Sequence, residues 1–198
     1  MSTRASTQLP AVFTIGHSTR SLEAFLILLH RHGVKHLIDV RTIPRSRYNP
    51  QFNHETLPQP LQQAGIDYTH MSELGGLRHA LRDSPNRGWR NASFRGYADY
   101  MQTAAFQTGI EKLIETATRE RTTIMCAEAV PWRCHRSLIA DALAVRGIPV
   151  EHITSMAQTK PHSLTPFAKV NGTHITYPAE HEQQTLLRSL DGTIQQHR

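Results

Sequence analysis

The chain has 198 residues, long enough to bury a core without disulfides or a structural metal, and it carries only two cysteines. No run approaches the roughly 18 consecutive apolar residues of a membrane-spanning helix. The opening segment MSTRASTQLP lacks the apolar stretch of a signal peptide, so a cytoplasmic protein is expected, without a lasting disulfide and with no membrane partner. The net charge of +6 bears on partners, not on fold.

In chain order, the apolar run 11–17 (AVFTIGH) predicts a buried first strand. Ser18 or Ser21 then caps a helix whose apolar face is Leu22, Phe25, Leu26, Leu28 and Leu29, closed by Gly33. Residues 35–41 (KHLIDVR) form a second strand. The polar segment after it contains Pro44 and Pro50 and forms no regular helix. A short helix falls within 55–64, delayed or interrupted by Pro58 and Pro60. Residues 66–74 give a third strand, broken by Gly75 and Gly76, and 77–93 read as a loop. Helical periodicity runs from Phe94 to about residue 120 through Tyr97, Tyr100, Met101, Ala104, Phe106, Ile110, Leu113 and Ile114, with Gly109 as the expected division into two helices. A fourth strand at 122–128, a helix at 135–147 and a fifth strand at 149–155 follow. A hairpin is expected around Asn171-Gly172, then a marginal helix at 180–198.

Strands alternating with helices predict a single α/β domain over 11–178, between a flexible 1–10 segment and a 179–198 tail. Its core is a mainly parallel, five-stranded open sheet with helices on both faces. Ligands of such sheets bind at the carboxyl ends of the strands. At those ends stand His17 and Ser18, Asp39 and Arg41, Glu73, and Cys126 and Glu128. Four strand ends with ionisable groups point to one shared site.

The segment IMCAEAVPWRCHRS (124–137) concentrates the reactive groups. Cys134 precedes a helix and has Arg133, His135 and Arg136 beside it, all of which favour a thiolate. Cys126, near the strand end, reads as an inert core cysteine. The helix start also offers backbone amides to an anion, with Arg136 as their partner. CAE and PWRC resemble the two halves of a zinc deaminase motif. Only seven residues separate Cys126 from Cys134, however, too few for the second strand–helix junction of that arrangement. From Arg41 to Arg95 there are eight arginines and no lysines. Guanidinium forks suit phosphate, and Tyr48, Phe52, Trp89, Phe94 and Tyr97 lie among them as candidates to stack on bases or to pack in the core.

The motifs TIGHSTRSLEAF, LIDVRTIPRSRYNPQFN, LGGLR, FRGYADYM, IMCAEAVPWRCHRSLIA, VEHITS and KPHSLTPFA together resemble the bacterial family catalogued as domain of unknown function 488, over residues 12–178. The resemblance implies an α/β domain and a cluster of His17, Asp39, Arg41, Glu128, Cys134, His135 and Arg136. It alone brings in His162. The loose labelling of such proteins as DNA repair proteins implies a nucleic-acid partner, but no reaction.

The expectation is an enzyme acting on a nucleobase, nucleotide or nucleic acid, with a hydrolytic reaction as one form. Ser18, Arg41, Arg45, Arg47, His135, Arg136 and His162 form its anion-binding set. Glu128 serves as general acid/base, Asp39 orients His17 or binds a polar substrate group, and Cys134 is nucleophile or metal ligand. Two alternatives stand beside it: a nucleic-acid-binding module without chemistry, and an enzyme dependent on a divalent metal, with Cys126, Cys134 and His135 as candidate ligands. The partner is a nucleic acid or a phosphorylated small molecule.

Overall fold

The computed structural model describes residues 10–179. The helix expected at 180–198 and the segment 1–9 lie outside these residues. Five parallel strands form the sheet: β1 (Val12–Gly16), β2 (His36–Asp39), β3 (Asp67–His70), β4 (Thr122–Cys126) and β5 (Val150–Ile153). A sixth, β6 (Thr159–Pro161), pairs antiparallel with β5, giving the order β3-β2-β4-β1-β5-β6. The sheet therefore has six strands and not five. The extra strand is three residues long, half-buried to exposed, and ends in a proline, which suits an edge and leaves no apolar signal. The hairpin expected at Asn171-Gly172 joins β7 (Lys169–Asn171) to β8 (His174–Thr176).

Alternating side chains along each strand feed two cores. Phe13, Ile15, Leu37 and Met125 pack with Phe25, Leu28 and Leu29 of α1 (Leu22–Arg31) and Leu61 of α2 (Pro58–Gln63). On the other face Val12, Ile38 and Ile124 pack with α3 (Ala92–Tyr100), α4 (Ala104–Arg119) and α5 (Arg136–Ala144), through Tyr97, Ile110, Leu113 and Leu138. Helices thus cover both faces.

One open alternative is resolved and one expectation changes. Ser21, not Ser18, caps α1, its hydroxyl accepting from the Ala24 amide at 3.1 Å. The break between α3 and α4 falls at Met101–Thr103, where Thr103 caps α4. Gly109 lies inside α4, and an added Cβ there would stand 3.0 Å from Leu74 Cδ2, so this glycine serves close packing and not a helix end.

Candidate functional site

β1 and β4 are neighbours, yet α1 and α5, which follow them, pack on opposite faces of the sheet. The chain leaving the two strands therefore diverges and opens a crevice, the place where open α/β sheets bind ligands. An open cleft of about 700 Å³ occupies it. The loops after β1, β2 and β4 and the start of α3 supply its walls: His17 and Ser18, Arg41 to Arg45, Cys126 to Ala129, and Asn91 to Phe94.

Close approach of the first and fourth strand ends depends on Gly16. A Cβ there would stand 1.9 Å from the Glu128 carbonyl oxygen and 2.8 Å from Ala129 Cα. The His17 amide donates to the Cys126 carbonyl (3.0 Å) and the Ser18 amide to that of Ala127 (2.9 Å), which fastens the two loops side by side. Ser18 takes a positive φ of 52°, turning the chain back across the cleft.

His17 is buried against Phe52, the ring centroids 4.3 Å apart. Its Nδ1–H donates to the Ser18 carbonyl (2.8 Å), and its Nε2 accepts from Arg41 Nη1 (3.3 Å). Burial, aided by the Arg41 charge, lowers its pKa to about 4, so the imidazole is neutral at pH 7. The expectation that Asp39 orients His17 is not met. Asp39 is fully buried outside the cleft lining and accepts from Arg41 Nε (2.9 Å), Arg41 Nη2 (2.6 Å) and the Tyr68 hydroxyl (3.0 Å). Its effect on the cleft passes through Arg41, whose Nη1 edge reaches His17.

The outer arginines divide. Arg45 lines the cleft and pairs with Glu55 at 2.6 Å, whereas Arg47 is exposed and outside the lining. Glu73 also falls outside: β3 ends at His70, and Glu73 sits on a 3-10 turn paired with Lys112 at 3.0 Å. Of the five aromatic residues among the arginines, Phe52 and Tyr97 are core, Trp89 and Phe94 pack partly buried, and Tyr48 is 94% exposed. Phe94 also faces the cleft, with Asn91 and Ser93 at the start of α3. Those three lie at the end of the loop-like stretch or just beyond it. The asparagine cap at Asn91, which accepts from the Ser93 amide at 2.8 Å, was the available signal.

Cys126 and Cys134 are both buried at the cleft floor, their sulfurs 3.0 Å apart, so Cys126 is the core residue expected and also reaches the site. A hydrogen bond from Cys126, together with the Arg136 charge and backbone amide, lowers the Cys134 pKa to about 6. The Cys126 thiol, sharing its proton and buried, is pushed up to about 12. Cys134 Sγ lies 3.6 Å from His135 Nδ1. His135 Nε2 sits 3.0 Å from the Val40 carbonyl, which only accepts, so Nε2 carries a proton and Nδ1 is the ring nitrogen turned to the sulfur side. Gly76 makes room for this ring, because a Cβ would stand 2.5 Å from Nδ1. Glu128 is exposed on the rim of the same cleft.

Arg136 and His162 lie elsewhere than expected. Arg136 is 1% exposed and behind the cleft wall, where Nη2 donates to the Glu128 carbonyl and Nη1 reaches Thr14 Oγ1 at 3.5 Å. From Thr14 a chain of contacts continues to His152 Nδ1 (2.8 Å), from His152 Nε2 to His162 Nδ1 (3.0 Å), and from His162 Nε2 to Asp141 Oδ1 (2.8 Å). Arginine only donates and carboxylate only accepts, so every link is satisfied when Thr14 donates to His152, His152 to His162 and His162 to Asp141. Tyr177 and the Thr165 amide complete the Asp141 shell at 2.8 and 3.0 Å. His162 thus anchors a buried relay that holds Arg136, and through it the Glu128 backbone. It does not face the cleft.

Fold and site define an α/β domain with an open, mostly parallel sheet and a thiol–imidazole cluster at its switch-point cleft. A family model described as "Domain of unknown function DUF488" matches residues 21–143, and the chain belongs to that family. The match includes Asp39, Arg41, Cys126, Glu128, Cys134, His135 and Arg136; His17 and His162 lie outside it. No curated protein and no solved structure matches the chain. Among the described residues no helix is long and apolar enough to cross a membrane.

Proposed function

We propose that the chain is a hydrolytic enzyme acting on a nucleotide or a related phosphate-bearing nucleobase compound held in the switch-point cleft. The carrying observation is the convergence of Cys134, His135 and the Glu128 carboxylate on one cleft with Arg41, Arg45 and Arg133. Among the described residues lining it, Glu128 is the one carboxylic acid beside three arginines; Asp39 and Glu55 neutralise Arg41 and Arg45, so Arg133 is the charge left to draw an anion. Its volume falls in the range of small-ligand sites. Arg45 and Arg133 stand on exposed segments and suit a phosphate, while Phe94 offers a flat apolar face to a base. Glu128 is the proton carrier for an attacking water, and Cys134 with His135 forms the electron-rich floor beside it.

The test is calorimetric binding of nucleoside mono-, di- and triphosphates, with product analysis of those that bind. Glu128→Gln is expected to keep binding and lose at least about 100-fold in turnover, the usual worth of a general acid/base. Arg133→Ala is expected to weaken binding. Unchanged turnover in Glu128→Gln sinks the assignment. A non-catalytic nucleic-acid-binding module is the second reading, favoured by exposed Tyr48 beside Arg47. It requires affinity for oligonucleotides that falls steeply with salt and is insensitive to changes in the cleft.

A further inference from the structure

We propose that Cys126, Cys134 and His135 form a three-ligand site for a zinc-class divalent metal ion, with its fourth position open to the cleft. The inference deepens the reading above and rests on it for the use of the metal.

The two Sγ atoms and one imidazole nitrogen lie within 4.8 Å of one another. Metal–sulfur and metal–nitrogen distances of about 2.3 and 2.05 Å at tetrahedral angles require separations of about 3.6 Å for sulfur to nitrogen and about 3.8 Å for sulfur to sulfur. Cys134 Sγ and His135 Nδ1 already stand at 3.6 Å. The sulfurs, at 3.0 Å, must part by roughly 0.8 Å, a small rotation of either side chain.

The outer partners fit as well. Ligating histidines usually donate their second ring nitrogen to a carbonyl or carboxylate, which fixes the tautomer. His135 Nε2 does so to Val40, leaving Nδ1 as the free donor atom, and side-chain-free Gly76 admits the ring. Two thiols and an imidazole select zinc or a similar ion over magnesium or calcium. Three protein ligands facing a cleft describe a site that keeps a position for water or substrate, unlike the closed four-ligand structural type. Glu128 lines that same cleft.

A second group, His36, Asp67 and Glu120, is also close enough to hold an ion. Both ring nitrogens of His36 are occupied there, by Glu120 and Thr69 at 2.8 Å each, and Asp67 is exposed. It serves as the control.

The experiment uses full-length protein purified without a histidine tag, stripped of metal under reducing conditions, and titrated with Co²⁺ and then Zn²⁺. Expected are one Co²⁺ per chain, a sulfur-to-cobalt charge-transfer band in the near ultraviolet, visible bands of a four-coordinate ion, and displacement by one equivalent of Zn²⁺. Proton release accompanies binding, because thiols ligate as thiolates. Cys126→Ser and Cys134→Ser each diminish the sulfur band and weaken binding beyond the roughly 10–100-fold worth of an outer partner, while His36→Ala changes nothing. The proposal is overturned by a Co²⁺ complex of the native chain lacking a sulfur band, or by binding that survives in the folded double serine variant. If the serine variants do not fold, the native Co²⁺ spectrum alone decides. Substrate conversion by metal-free protein without a sulfur band removes the metal and keeps the enzyme. A thiolate-ligated metal with no nucleotide bound keeps the metal site and removes the nucleotide reading.

Discussion

Lowering the pH from 7 to 5 removes stability through two imidazoles that the fold buries in neutral form. His17 and His152 are 1% and 7% exposed, and burial lowers each pKa from 6.5 to about 4. In the unfolded chain both take up a proton near pH 6.5, whereas in the folded chain they stay neutral until about 4. The unfolded state therefore binds more protons throughout this window, and unfolding becomes easier as the pH falls. The stability these two imidazoles carry is complete above about 6.5 and declines progressively to about 4. Each imidazole carries roughly 3 kcal/mol across the whole window and about 2 kcal/mol by pH 5. The pair then removes about 4 kcal/mol at pH 5, a large fraction of the 5–15 kcal/mol typical of a domain. Glu73, held below the usual carboxylate range by its backbone and Lys112, acts only at lower pH, outside this window. Urea unfolding at pH 7, 6 and 5 measures the decline, and His17→Gln and His152→Gln should each flatten it. Nitrogen-15 spectra should show His17 protonated at Nδ1 and His152 at Nε2 at pH 6. A stability constant to within about 1 kcal/mol between pH 7 and 5 refutes the reasoning.

Three substitutions test the supports of the cleft. Gly16→Ala drives a methyl into the Glu128 carbonyl and Ala129 backbone, and should lower unfolding free energy by about 2–4 kcal/mol in chemical denaturation, through overpacking and a loosened loop pair. Asp39→Asn leaves the buried Arg41 guanidinium without its counter-charge and should lose about 3–5 kcal/mol; Asp39→Asn with Arg41→Met should recover most of it in a double-mutant cycle. Asp99 accepts from the Leu81 amide, the Ser84 hydroxyl and the Asn86 side chain, so Asp99→Ala should raise hydrogen exchange across 81–88 by at least about tenfold while β4 and β1 amides stay protected.

Four of the five parallel strands are legible as apolar runs bounded by turn residues, and the convergence of His17, Arg41, Cys126 and Glu128 follows from their place at strand ends; β3 is polar, exposed or half-buried, and stops at His70, short of the expected Leu74. What escaped depended on direction and partnership. Arg136 looked available to an anion because it opens a helix, but it turns inward to Thr14 and the Glu128 carbonyl, a choice set by residues far along the chain. Cys126 reads as core alone because an apolar strand surrounds it; only the return of the 127–134 loop brings Cys134 onto it. Its sequence position leaves Asp39 open to orient His17 or to bind a polar substrate group, whereas Arg41, two residues on, takes both its oxygens. His162 gave no spacing signal, since its partner His152 sits across the antiparallel β5–β6 pair, and β6 itself left no pattern to read.

The place of β4 between β1 and β2 ties the site to distant parts of the chain. The first two strands do not pair with each other; each pairs with a segment about a hundred residues downstream, and in the finished sheet two strand spacings, nearly 10 Å, lie between them. Cleft walls come from the strands on either side of β4 and from the loop after β4 itself, which also supplies the floor, with Gly16 in register with Cys126. No run of neighbouring segments builds the site alone, and pairings of such long sequence separation slow folding. The thiols lie together where β4 stands beside β1, which makes their proximity a marker of the correctly ordered sheet.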